Sequence, residues 1–163
     1  MHTVEEFLAY AVKLEEEAAI RFGELADVMQ SCGNGDVGKL FRRLSDYSRL
    51  HLADAKARSG FRDIPDMRPN EFAWPDFESP ESAAIWAADP FIGREQALEI
   101  ARDAEQASLD YYTKIYRTTD DSEVRVLAKE FVEEETLHVA EINKWIAAHK
   151  AGGPLPVDRL RVF

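Results

Sequence analysis

One helical pattern occurs twice in this chain, and the duplication restricts the folds open to it more than any other feature. Phe7, Leu8, Ala11, Glu15, Ala18, Phe22 and Leu25 recur at identical spacing as Ala97, Leu98, Ala101, Glu105, Ser108, Tyr112 and Ile115. Leu40, Leu44, Ser48, His51 and Ala55 recur in the same way as Leu127, Phe131, Glu135, His138 and Ile142. The two offsets differ because the turns inside the pairs differ in length, so each pair reads as one helical hairpin. Two hairpins that bury their apolar stripes against each other make an all-α four-helix bundle.

Punctuation along the chain supports the same division. Thr3 and Glu6 read as a capping box ahead of the stripe Val4, Phe7, Leu8, Ala11, Ala18, Phe22, Leu25 and Met29. Gly33-Asn34-Gly35 ends it, and Val37, Leu40, Leu44, Tyr47, His51 and Ala55 continue to Gly60. A third stripe runs from Ala97 to Ile115, a capping turn follows at Thr118-Thr119-Asp120-Asp121, and a fourth runs from Val124 to Trp145 before Gly152-Gly153-Pro154. The spacing predicts helices over about 3–31, 36–59, 93–117 and 120–150. Between them, over 60–92, Pro65, Pro69, Pro75, Pro80 and Pro90 break any periodicity, leaving at most a short turn near Ser82 to Ala88. Phe72, Trp74, Phe77 and Trp86 lie among the prolines, and a loop of this length is expected to cross the bundle and pack on it. The tail 151–163 carries apolar residues from Leu155 to Phe163 that suit docking on the bundle or on a second subunit.

Composition narrows function by exclusion. The chain carries 31 acidic against 20 basic residues, a formal charge of -11, which opposes nucleic acid or an anionic membrane surface as partner. The single cysteine, Cys32, has neither a disulfide partner nor a C-x-x-C arrangement for zinc or rubredoxin-type iron. Without a basic, apolar leader or a membrane-spanning stretch, a soluble, full-length cytoplasmic protein is expected. The clustered Gly33, Gly35 and Gly38 follow a helix rather than a strand and make no phosphate cradle. The basic run Phe41-Arg42-Arg43, together with Arg49, is expected on the solvated face of the second helix.

The informative acids are those on the apolar side. At about 100° per residue, Glu15 projects toward the stripe of the first helix, whereas Glu16 and Glu17 project away. Glu105 falls on the apolar edge of the third helix, Glu135 and His138 within the stripe of the fourth, and His51 near the centre of the second. Glu133 and Glu134 fall at the margin or outside. Inward carboxylates must pair, protonate or bind a cation, and no inward Lys or Arg is available. Oxygen and imidazole donors suit iron, manganese or zinc, and the Glu135-x-x-His138 step puts both groups on one face. Taken singly, an inward Glu is usually a boundary residue and a lone inward His a satisfied core group. Their recurrence at equivalent positions of a duplicated hairpin favours a metal site, while His2 and His149 sit near helix ends without such company.

These residues resemble the ferritin-like di-iron carboxylate family, and within it the rubrerythrin-like branch without a rubredoxin domain. The resemblance spans roughly residues 3 to 150 and rests on Glu15 with Phe22, Glu105 with Tyr112, Glu135-x-x-His138, the phrase Leu40 to Leu44 before His51, and Glu133 to Val139. It implies a ferritin-like four-helix bundle over 1–150. It also implies Glu15, His51, Glu105, Glu135 and His138 as metal ligands and Tyr112 as a catalytic hydrogen-bond donor. Where the pattern asks for a sixth ligand, a Glu, this chain has Ser48, and Asp46 projects to the opposite side of its helix. Two irons are therefore expected from the family, or one if Ser48 abolishes the second position, with zinc or manganese as other candidate ions. Water, or Asp76, Glu78 or Glu81 of the crossover, could fill the gap.

Three functions follow. The first is an oxidoreductase, of peroxidase or ferroxidase type, that reduces peroxide or carries out iron and oxygen chemistry. It would need a separate electron-donor protein and is expected to form a homodimer. The second is a metal-binding or storage bundle with one altered site and little turnover. The third is a helical interaction module without chemistry.

Overall fold

A computed structural model describes residues 3–60, 65 and 92–153. The expected crossover turn, its aromatics and its prolines other than Pro65, Asp76, Glu78 and Glu81, the tail Leu155 to Phe163, and His2 lie outside the described residues. Within them the chain forms four α-helices: α1 Val4–Ser31, α2 Gly35–Ser59, α3 Arg94–Thr118 and α4 Ser122–Lys150. α1 packs along α2 and α3 along α4, and the two hairpins close on each other as a ferritin-like four-helix bundle.

The local chemistry explains each end. Thr3 caps α1, its hydroxyl accepting the Glu6 amide at 3.2 Å. Asp121 caps α4 by accepting the amides of Glu123 and Val124 at 2.9 and 3.0 Å. α1 and α4 both end in a glycine with positive φ, Gly33 at 81° and Gly152 at 76°, and in each case the next amide turns back to an earlier carbonyl, Asn34 to Met29 and Gly153 to Ala148. The hairpins are also tied across the chain, since the Asn34 amide side chain donates to the Ile92 carbonyl at 2.7 Å.

Two apolar clusters fill the bundle, one toward each end. One gathers Phe22, Met29, Leu40, Phe41, Tyr47, Leu98 and Trp145, and the other Phe7, Leu8, Leu14, Tyr112, Val124 and Phe131. Phe41 corrects the sequence reading of its basic run: it is fully buried and stacked on Phe22 at 5.9 Å, because it stands four residues after Val37 and three before Leu44, inside the stripe of α2. Its neighbour Arg42 does face outward, where it meets Asp27 and the Gly23 carbonyl. Between the clusters all four helices contribute polar residues to a single layer, the buried Glu15, Ser48, Glu105, Ser108 and Glu135 with the half-buried His51 and His138.

Candidate metal centre

Each helix supplies its member of the layer from the middle of its length, where the apolar stripe is interrupted by one turn. Glu15, Glu105 and Glu135 are 2%, 4% and 2% exposed. The neighbouring acids separate as their projection predicts: Glu133 is exposed, and Glu16 and Glu17 are partly so. Asp46 pairs with Arg49 on the surface, away from the layer.

The side chains converge across helices. His138 Nδ1 lies 3.3 Å from Glu135 Oε2 on its own helix and 3.6 Å from Glu105 Oε2 on α3. His51 Nδ1 lies 3.7 Å from Glu15 Oε2 on α1. The two imidazoles are nearly parallel, with centroids 3.9 Å apart, so the acid–histidine groups of the two hairpins meet face to face. One donor atom from each of His51, Glu105 and His138 falls within a 4.8 Å group. Such a group could hold a metal ion. All five sequence-derived ligand candidates thus share one layer, and Ser48 lies in it at 2% exposure.

Electrostatics favour charged groups here in spite of burial. Burial raises the Glu105 carboxyl, but the contacts of His138 and Glu135 and the field of His51 outweigh it and hold the group below the usual carboxylate range. Burial lowers the His51 imidazole, and the Glu15 contact, with the fields of Glu105 and Glu134, more than reverses this. The compensation is incomplete. Glu15 Oε2 and Glu105 Oε2 are buried and accept no hydrogen bond among the described residues, whose buried set contains no Lys or Arg. A cation is the species this donor set lacks, and carboxylate oxygens beside imidazole nitrogens are hard-to-borderline ligands that fit iron, manganese or zinc.

Tyr112 is fully buried one turn beyond the layer, edge-on to Phe7 at 6.0 Å and stacked on Phe131 at 5.0 Å. Tyr111 meets it edge-on at 5.4 Å, and burial first, then Tyr10, pushes the Tyr111 phenol well up. Two residues escaped the sequence reading. Arg58 ties α2 to α4 through Glu130 and Glu134, while also bonding Asp54 at 3.0 Å and lying over Phe131. Its only sequence signal is a cation at the edge of the α2 stripe. Ser108, read as a position of the third stripe and the counterpart of Ala18 but given no role in the site, is completely buried one turn from Glu105, and that spacing was its signal.

Fold and site together define a ferritin-like bundle with a carboxylate–histidine layer at its centre. The rubrerythrin family model matches residues 6–146, and the chain belongs to the rubrerythrin family. It is also similar, at 34% identity and a TM-score of 0.65, to an uncharacterised conserved protein from Magnetospirillum magnetotacticum MS-1 known from a crystal structure. That match covers 95% of this chain and 98% of the other. No curated protein matches the sequence. Among the described residues no helix is long and apolar enough to cross a membrane.

Proposed function

We propose that residues 1–150 form one metal-binding oxidoreductase domain of the di-iron type, which reduces peroxide or carries out related iron and oxygen chemistry within the bundle. The observation that carries this reading is the pair of buried carboxylate oxygens, Glu15 Oε2 and Glu105 Oε2, that accept no hydrogen bond among the described residues, in a layer to which those residues bring no buried Lys or Arg. Glu15, Glu105 and Glu135 would hold the ions through oxygen, and His51 and His138 through nitrogen. Iron bound there supplies the change of oxidation state that reduction of peroxide or dioxygen requires.

The protein's part is positional. The apolar clusters on either side shield the buried carboxylates of the layer from bulk water, which strengthens their charge interactions. Tyr112, on the α3 face that carries Glu105, would offer its phenolic hydrogen to an oxygen of the substrate. The sequence contains no C-x-x-C pair, so electrons would come from a separate carrier protein, with the chain acting as a homodimer in the cytoplasm. Anaerobic loading with Fe(II) followed by peroxide tests the reading. It should give about two irons per chain and oxidation faster than free Fe(II), and fewer than one metal per chain would overturn it.

Ser48 favours a second reading, a storage or binding bundle with one ion held by His51, Glu105 and His138 and little turnover. Metal stoichiometry separates the two.

A further inference from the structure

The layer contains two hydroxyls that the proposed ligand set does not use, Ser48 and Ser108, and it is Ser108 that points to a further role. Ser108 is fully buried, and its Oγ has no hydrogen-bond partner among the described residues. Helical serines usually escape this cost by donating to the carbonyl four residues back. Ser45, also fully buried, escapes it another way, by donating to the Ala19 carbonyl at 2.7 Å. Ser108 sits one turn after Glu105 and one turn before Tyr112 on the inward face of α3, and a helical side chain leans toward the preceding turn, here that of Glu105. Two buried atoms without a hydrogen bond, a hydroxyl and the carboxylate oxygen Oε2 of Glu105, therefore stand one turn apart. Neither completes the other, and a small molecule with both hydrogen-bonding capacities would serve the hydroxyl while a cation serves the carboxylate.

We infer that Ser108 Oγ is the protein's hydrogen-bond donor to a small exogenous ligand of two or three atoms, of the class of azide or peroxide, bound in the layer beside Glu105. The inference rests on the metal-binding reading, since an anion would not enter among three carboxylates without a cation present. Ser108 would then be a substrate-contacting residue and would fix which end of the ligand faces α3. The first hairpin cannot do the same, because the equivalent position is Ala18. That alanine also shows that the small side chain fits this register of the fold.

The test compares wild type with Ser108→Ala, both loaded with Fe(II), oxidised in air and titrated with azide while the azide-to-iron charge-transfer absorption is followed. At equal iron content, Ser108→Ala should bind azide about tenfold more weakly, the loss of about one hydrogen bond. Without metal, Ser108→Ala should melt no lower than wild type, whereas Ser45→Ala, which removes a satisfied buried bond, should melt about 2–4 °C lower and leave azide affinity unchanged. Equal azide affinity in wild type and Ser108→Ala overturns the role of Ser108, as does iron loading without azide binding in wild type. A wild-type chain that takes up no iron overturns the metal-binding reading itself.

Discussion

Glu105 is the residue on which the layer turns, because it contacts His138 on α4 while its own charge is retained against full burial. Replacing it by Gln keeps the shape and removes the charge. Glu105→Gln should therefore fold, yet bind Fe(II) or Zn(II) at least about tenfold more weakly in a competitive titration, since a neutral amide is a poor ligand for either ion. Ser48 answers the opposite question. It lies in the layer one turn before His51, as Glu135 lies one turn before His138, so Ser48→Glu rebuilds the α4 pattern on α2. If the wild type holds one ion, the variant should hold two, and two ions already present in the wild type would dismiss the single-site reading.

At the scale of the helices, what matters is how α2 is held against α4. His51 stacks on His138 in the middle of this contact, Tyr47 meets Trp145 at 5.9 Å on one side, and Arg58 binds Glu130 and Glu134 on the other. Arg58 is partly buried, so its ion pairs are worth more than surface pairs, although its acidic partners are a third to a half exposed and remain screened. Arg58→Ala should cost about 1–2 kcal/mol, read as a melting temperature lowered by about 2–8 °C, with Arg58→Lys recovering only part because a point charge cannot span three carboxylates. An unchanged melting temperature would show that the clamp contributes nothing. Glu134 shows why helix projection alone was insufficient here. Its position at the stripe margin was legible, but its engagement with Arg58 depends on the neighbouring helix.

For the molecule as a whole, the central expectation concerns the cation. A site that binds metal only when folded adds stability by mass action, about 4 kcal/mol at a thousandfold excess over the dissociation constant. Stripping the metal with a chelator should therefore lower the melting temperature clearly, and a melting temperature indifferent to chelation would favour an interaction module without chemistry. The sequence by itself determined the four helices, their caps at Thr3 and Asp121, and the inward placement of Glu15, Glu105 and Glu135, because helix periodicity and capping act over neighbouring residues. The internal repeat also implied that the two hairpins would bring equivalent groups to one level. Only the tertiary structure decided that His138 meets Glu105, that the two imidazoles stack, that Arg58 reaches α4, and that Ser108 is left without a partner among the described residues. Those contacts depend on the rotation and height of one helix against another, which apolar packing over the whole interface sets and no local stretch of sequence encodes.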